Sequence, residues 1–422
     1  MARNNIFKNI DGQLTLIMFV LIVIGLVNVF SSQYNESSTN LFSLNTLTTN
    51  FGKQLIWFGF TLIFFFIILI IDVRFFINFS NAIYFVAIGM LIITYIFGRE
   101  VSGTRGWFSI GGFNLQASEI AKFATALAVA KYIDNYQFRM DNRRDLFMLF
   151  GIIALPVMII MLQNDFGSAL VFTSFIIVLF RQGLSPWLPY LSLASAVLFL
   201  MVLLLDVQWT ILILVVIALL FYLFTYKRKK ALIVTLLALG LSIGFVSSVN
   251  YIFDDLLQPH QKSRVNVLLG KEVDLKGSGY NVHQSLIAIG SGGFNGKGFL
   301  KGTQTKLNFV PEQSTDFIFC TIAEEYGFIG SVVLILLFAW LLIRILYLSE
   351  KQKLKYARVY GYCVASILFF HFTLNIAMTL GIFPVIGIPL PFISYGGSAL
   401  LGFVILITIF IKLDADYKHY FN

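Results

Sequence analysis

The sequence predicts an all-α polytopic membrane protein with about twelve transmembrane helices. Of its 422 residues, 58% are hydrophobic and only 12% are charged, and the mean hydropathy is +0.84. Domains that fold in water contain a larger charged fraction, and apolar runs of membrane-spanning length recur along the whole chain. Because packed transmembrane helices form one unit, we expect a single integral membrane domain over residues 1–422.

The candidate spans follow one another closely and leave a few longer connections. They are 14–30, 54–71, 82–98, 117–133, 146–162, 166–180, 187–205, 209–225, 231–248, 317–347, 358–380 and 395–412. With twelve spans, the Lys and Arg residues of the short connections fall on one side of the membrane, which is expected to be the cytoplasmic side. Both termini then lie in the cytoplasm, and 249–316 is a long extracytoplasmic loop.

Composition also excludes some kinds of partner. The formal net charge of +9 is explained by positive residues that flank and orient the helices, so we expect membrane lipids and no nucleic acid as partners. The four histidines and two cysteines are far apart in the sequence. Their spacing predicts neither a disulfide framework nor a metal site.

Several charged residues interrupt the apolar pattern. Glu119 and Lys122 are three residues apart and share a helix face, so they form either a structural ion pair or a site where Lys122 meets an anionic ligand. Asp165 and Asp316 each precede an apolar helix. Each of these two acids is either a helix cap or a functional carboxylate.

Two stretches are typical of a cavity wall. Residues 277–316 are rich in glycine and polar residues, and residues 381–397 contain prolines and glycines that cannot all continue a helix. Irregular backbone at membrane depth is tolerated inside protein or beside a water-filled cavity. We therefore expect an outward-facing polar cavity that suits an amphiphile with a phosphate head and a lipid tail. The residues alone do not separate an enzyme from a transporter.

Five motifs taken together carry a family resemblance. The chain resembles the shape, elongation, division and sporulation family of bacterial peptidoglycan glycosyltransferases, and its elongation branch in particular. The motifs are RGWFSIGGFNLQASEIAKF (105–123), QNDFGSAL (163–170), GSGYNVHQSLIAIGSGGFNGKGFLKGTQTKLNFVPEQSTDFIF (277–319), AEEYGFIG (323–330) and GIFPVIGIPLPFISYGGSAL (381–400). The resemblance implies a family core of about ten spans, so the two extra helices lie within 187–248.

The resemblance also implies an activity. Family members polymerise lipid II, an undecaprenyl-pyrophosphate-linked disaccharide pentapeptide, at the outer face of the bacterial cytoplasmic membrane. By its position in the motif TDF, Asp316 is implied as the general base of an inverting glycosyl transfer. The substrate-binding residues implied or proposed beside it are Lys122, Glu119, Arg105, Trp107, Asp165, Arg264, Lys297 and Gln313.

The family also suggests a partner and alternatives. The implied partner is a class B penicillin-binding protein, a transpeptidase that would be a separate chain, and a divalent cation such as Mg²⁺ is a possible cofactor at the pyrophosphate. Two other functions stay open at this point. One is a transporter of lipid-linked cell-wall precursors that uses the same cavity, and the other is a noncatalytic scaffold for the cell-wall synthase.

Overall fold

The computed structural model describes residues 9–34, 49–101, 103–110, 113–225, 229–251, 278–307 and 309–421, which are mostly helical. The longer helices are α1 (Gly12–Gln33), α2 (Asn50–Ile70), α3 (Val73–Phe97), α4 (Ala117–Asp134), α5 (Arg143–Leu162), α6 (Phe166–Val171), α7 (Phe175–Arg181), α8 (Trp187–Phe224), α9 (Lys229–Tyr251), α10 (Ser278–Gly292), α11 (Ile318–Lys351), α12 (Lys355–Thr379) and α13 (Gly397–Phe421). A short 3-10 turn, Phe172–Ser174, joins α6 to α7.

The polytopic helical fold class is confirmed. Within the described residues, nine helices are long and apolar enough to cross a membrane. Three predicted spans fall outside that set for physical reasons: α4 carries charged residues, 166–180 is broken by the 3-10 turn, and 187–205 is the first half of α8. The chain is therefore a multi-pass membrane protein, and the count of twelve spans stays a prediction.

The chain forms two compact units. One unit is Gly183–Tyr280, and the other combines Met1–Gln182 with Asn281–Asn422. The expectation of a single integral membrane domain stays a prediction.

The Gly183–Tyr280 unit contains α8 and α9. The 38 residues of α8 replace the two predicted spans 187–205 and 209–225. However, Thr210 Oγ1 donates to the carbonyl oxygen of Met201 at 3.1 Å, although nine residues of straight helix extend about 13.5 Å. The chain therefore turns sharply between these residues, near the predicted break. Val202 packs with Val246 and Val249 of α9.

In the larger unit, the principal helix pairs are α2 with α13, α3 with α4, α11 with α12, α4 with α12, and α1 with α11. The core contains fully buried aromatic side chains, including Tyr356, Tyr360 and Phe410. A Cβ on Gly397 would lie 2.0 Å from the Trp57 ring, so only glycine allows α13 to begin against α2.

The connection 99–116 contains a small antiparallel sheet. Its strands are β1 (Arg99–Val101), β2 (Thr104–Ile110) and β3 (Phe113–Gln116), in the order β1-β2-β3. The stretch TRGWFSI favours β2 because it contains Thr104, Trp107, Phe108 and Ile110, and β-branched and aromatic residues are enriched in strands. The Arg105 amide donates to the Gln163 carbonyl oxygen at 3.0 Å, which attaches the sheet to the end of α5.

The predicted long loop 249–316 is also more ordered than expected. Within it, α9 extends to Tyr251 and α10 spans Ser278–Gly292, while 252–277 lies outside the described residues. The glycine-rich stretch 277–316 was expected to form part of a cavity wall, and its first part belongs to α10. Ser285 Oγ on this helix donates to the Thr379 carbonyl oxygen at 3.0 Å.

The glycines after α10 serve a close backbone approach. Helix α11 is interrupted at Gly327, whose φ is 64°. The turn 293–298 inserts there: Lys297 N donates to the Glu324 carbonyl oxygen at 3.0 Å, and Phe328 N donates to that of Gly293 at 2.9 Å. A Cβ on Gly296 would lie 2.2 Å from a carbonyl oxygen of α11, so the contact requires glycine.

Candidate active site

Asp316 lies immediately before α11, where polar chain meets an apolar helix. Its residue is half-buried, and its Oδ2 faces Gly387, since a Cβ built on that glycine would be 3.5 Å away. The N-cap residue of α11 is Phe317. Asp316 is one residue before this N-cap, and both interpretations of the acid, a cap and a functional carboxylate, stay predictions.

The irregular segment 380–396 holds the residues just before Asp316. As the prolines predicted, this segment is not helical. Ser394 Oγ donates to the Thr315 carbonyl oxygen at 2.6 Å, and Tyr395 N donates to the Ser314 carbonyl oxygen at 2.8 Å. These hydrogen bonds fix the backbone that carries the carboxylate.

Lys122 is buried in an ionic cluster between α4 and α12. Its ammonium donates to Glu119 Oε1 at 2.7 Å and contacts His371 Nε2 at 2.8 Å; each of the two charged side chains is only 3% exposed. An ammonium can only donate, so His371 Nε2 accepts and the imidazole proton is on Nδ1, 3.3 Å from the Pro389 carbonyl oxygen. Glu119 and Lys122 thus form an ion pair within one helix, and a substrate-binding role for either residue stays a prediction.

A second polar residue on α12 reaches the Asp316 backbone. Asn375 Nδ2 donates to the Asp316 carbonyl oxygen at 2.8 Å and to the Ile388 carbonyl oxygen at 2.7 Å. Because His371 and Asn375 are four residues apart, they lie on one face, about 6 Å apart along the helix. Lys122 and Asp316 are thus linked through one face of α12.

Asp165 is a helix cap, as one of its two interpretations predicted. Its Oδ1 accepts the Ser168 amide at 3.0 Å, and its Oδ2 accepts from Gln116 Nε2 at 2.7 Å. The residue is 7% exposed. The carboxylate therefore joins the start of α6 to the start of α4, and a substrate contact for it stays a prediction.

Lys297 and Gln313 have structural partners. Lys297 Nζ donates to Glu324 Oε1 at 2.7 Å, and the Glu324 carboxylate also accepts the amides of 303, 304 and 305 at 2.8–3.0 Å. Gln313 Nε2 donates to the Ser32 carbonyl oxygen at 2.8 Å. These contacts attach 297–305 to α11 and Gln313 to α1.

Arg105 and Trp107 lie two residues apart on β2. The Arg105 side chain is 61% exposed and pairs with Glu100 at 3.0 Å, while Trp107 is partly buried. Arg264, another predicted binding residue, lies outside the described residues. Within the described part of the chain, no group of three or more His, Cys, Asp or Glu side chains is placed to hold a metal ion.

Sequence reasoning missed the roles of His371 and Asn375. The His371 ring packs edge-on against Phe403, with centroids 4.7 Å apart. The available signal was two polar residues at a four-residue spacing within an apolar span, since intramembrane polar groups usually face the protein interior.

The fold and this site define a multi-pass helical membrane protein that holds charged residues both within its helices and at helix starts. The family of cell cycle proteins comprising FtsW, RodA and SpoVE matches residues 12–209 and 180–419. The chain therefore belongs to this family, as its motifs predicted.

Individual relatives agree with that assignment. The chain is 31% identical over 436 residues to the peptidoglycan glycosyltransferase RodA of Treponema pallidum, covering 97% of this chain and 98% of that protein. It is 33% identical over 333 residues to the peptidoglycan glycosyltransferase MrdB of Escherichia coli K12, covering 78% and 76% of the two chains.

Solved structures share the fold. One is a chain from a structure that concerns the structural coordination of polymerization and crosslinking by a peptidoglycan synthase complex. Its TM-score is 0.71 at 23% identity, and the match covers 99% of this chain and 100% of that chain. The rod shape determining protein RodA of Thermus thermophilus has a TM-score of 0.63 at 21% identity, with 99% of each chain covered.

Proposed function

We propose that the chain is a peptidoglycan glycosyltransferase that polymerises lipid II into glycan strands during cell elongation. The relatives named RodA and MrdB are peptidoglycan glycosyltransferases, which favours this function over precursor transport. The observation that carries the proposal is the half-buried Asp316, whose backbone is held from two sides at a helix start within the family motif.

The chemistry requires one carboxylate acting as a general base. Asp316 takes the proton from the 4-hydroxyl of the acceptor sugar while that oxygen attacks the anomeric carbon of the donor. The bond from the anomeric carbon to pyrophosphate breaks, and the electron pair leaves with undecaprenyl pyrophosphate. Attack opposite the leaving group inverts the anomeric carbon and gives a β-linked strand. General-base catalysis of this type contributes about 10²–10⁴-fold to the rate.

The leaving group requires cations, because negative charge develops on pyrophosphate. Among the described candidates, Lys122 and Lys297 already pair with Glu119 and Glu324, and Arg105 is mostly exposed. Arg105 is therefore the candidate whose head group is accessible for pyrophosphate. Lys122 is enclosed by protein and contacts His371, which lies one turn before Asn375, the residue of α12 that bonds the Asp316 backbone.

The proposed location is the bacterial cytoplasmic membrane, with both termini in the cytoplasm and polymerisation at the outer face. The distribution of Lys and Arg in the short connections supports this orientation. We further propose that the chain works with a class B penicillin-binding protein as a separate transpeptidase. The similarity of its fold to a chain of a peptidoglycan synthase complex supports that partnership.

The test uses purified protein with its transpeptidase partner and labelled lipid II. Wild type is expected to form polymer, whereas Asp316→Ala and Asp316→Asn are expected to form none above background. Glu312→Gln is the matched control, because Glu312 is an exposed acid on the same segment; it should polymerise like wild type. Thermal unfolding checks that all variants fold.

Other outcomes contradict specific parts of the proposal. Full polymerisation by both Asp316 variants would refute the general base. If no protein forms polymer but labelled lipid II crosses vesicle membranes in an Asp316-dependent way, the chain is a transporter.

A further inference from the structure

We propose that Asn375, on α12, is a positioning residue that holds the Asp316 carboxylate in its reactive place. Its amide joins the backbone of Asp316 to the irregular segment 380–396. This inference rests on the proposed function, because it assigns Asn375 a role in the same general-base step.

The orientation of the Asn375 amide is fixed by its partners. The two contacted atoms are carbonyl oxygens, of Asp316 at 2.8 Å and of Ile388 at 2.7 Å. Carbonyl oxygens only accept, so the amide nitrogen must point at both of them. One side chain therefore uses both N–H groups to connect two segments that are distant in sequence.

The burial of Asn375 argues against an incidental contact. The residue is 0% exposed within a membrane-spanning helix, where an amide is costly unless it is hydrogen-bonded. Its Oδ1 has no hydrogen-bond partner among the described residues. A buried amide is thus kept in a membrane-spanning helix although its oxygen has no partner among the described residues, which indicates that its two N–H donors are needed there.

The second anchored carbonyl relates the amide to the carboxylate. Ile388 follows Gly387, the residue that Asp316 Oδ2 faces. Asn375 thus sets the separation between the backbone carrying the acid and the backbone opposite the acid. It contacts no carboxylate atom in these hydrogen bonds, so its effect on the reaction is through position. A displacement of about 1 Å in a reacting group can reduce a rate about 10²-fold.

The same face of α12 also holds Lys122. His371, one turn earlier, contacts Lys122 at 2.8 Å and the Pro389 carbonyl oxygen at 3.3 Å. Adjacent carbonyls of the irregular segment, at 388 and 389, are therefore held by residues of one helix face. Loss of the Asn375 contacts releases the Asp316 side of this arrangement and leaves the Lys122 side in place.

The first experiment measures kcat and KM for lipid II in the complex with the transpeptidase. For Asn375→Ala, kcat is expected to fall about 10–100-fold, while KM stays within about twofold because no substrate contact is removed. Asn375→Ser keeps one donor and should give an intermediate kcat. If Asn375→Ala does not fold, Asn375→Ser carries the comparison.

The matched control is Gln352→Ala. Gln352 is another fully buried amide, and its Nε2 bonds Asp414 Oδ1 at 2.7 Å, near the far end of α13. Its loss should lower thermal stability to a similar extent without lowering kcat. Equal reductions of kcat in Asn375→Ala and Gln352→Ala would overturn the positioning role, because they would reflect general loosening.

A binding measurement separates position from general structure. Asp316→Asn is expected to bind lipid II without turnover, and adding Asn375→Ala should change its Kd less than about twofold. A large loss of affinity in the double variant overturns the inference. If Asp316→Asn is inactive and Asn375→Ala has wild-type kcat, the inference alone fails. If Asp316→Asn polymerises normally, the proposed general base fails and the inference fails with it.

Discussion

Replacing Glu324 by glutamine is expected to release the chain between α10 and α11. The carboxylate is 0% exposed and accepts the amides of Thr303, Gln304 and Thr305 at 2.8, 2.9 and 3.0 Å, as well as Lys297 Nζ at 2.7 Å. Glutamine keeps one acceptor oxygen and turns the other into a donor. If the lost oxygen is Oε2, the Thr305 amide loses its acceptor. If it is Oε1, Lys297 Nζ and the amides of Thr303 and Gln304 lose theirs.

The magnitude follows from those contacts. An unpaired buried amide costs about 1–3 kcal/mol, and removing one partner of a buried ion pair costs about 3–5 kcal/mol. These effects overlap, so we expect about 3 kcal/mol of local destabilisation. Since about 1.4 kcal/mol is a tenfold change in an equilibrium constant, local opening becomes about 10²-fold more frequent.

Native-state hydrogen exchange measures that opening. The amides of Thr303, Gln304 and Thr305 should exchange about 10²-fold faster in Glu324→Gln than in wild type. The control is Glu350→Gln, because Glu350 also forms an ion pair but is 49% exposed, and exposed pairs contribute about 1 kcal/mol or less. The reasoning is refuted if the three amides keep wild-type protection in Glu324→Gln.

Two further predictions concern packing and buried charge. Gly167→Ala should lower the thermal unfolding midpoint, because its Cβ would lie 2.4 Å from the Ile386 carbonyl oxygen and overpacking costs about 1–3 kcal/mol; Gly151→Ala, with open space around it, should not, and equal midpoints for the two variants would contradict this. Lys122→Met should cost about 3–5 kcal/mol in chemical unfolding by leaving the Glu119 carboxylate buried alone. Adding Glu119→Gln should restore much of that stability, and polymerisation by the double variant at the wild-type rate would show that the pair is purely structural.

The sequence predicted those features that depend on local chemistry. Apolar runs predicted most of the helices, and the prolines of 381–397 predicted the irregular segment. Asp165 was a possible cap because it precedes an apolar run, and it does accept the Ser168 amide. Asn164, the residue before that cap, has a φ of 61°, a conformation that asparagine adopts more readily than most residues.

The features that escaped prediction depend on contacts between distant segments. Glu324 accepts hydrogen bonds from a turn about twenty residues earlier, and Asn375 contacts residue 316, 59 positions away. No local periodicity encodes such pairs. The glycines at 293 and 296 were ambiguous for the same reason: a linker, a phosphate cradle and a turn inserted into a helix all require small residues. The fold identifies the inserted turn, because Gly296 lies against α11 where that helix is interrupted at Gly327.

Burial distinguishes the acids of the family motifs by role. Glu119 is 3% exposed, Asp165 is 7% exposed and Glu324 is 0% exposed, and each is held by hydrogen bonds to neighbouring protein groups. A general base must reach the acceptor hydroxyl within about 3 Å, which a carboxylate enclosed in this way cannot do without rearrangement. Asp316 is half-buried, and its backbone is fixed by Asn375. This combination of access and fixed position favours Asp316 as the proposed base, and substrate contacts of the enclosed acids stay predictions.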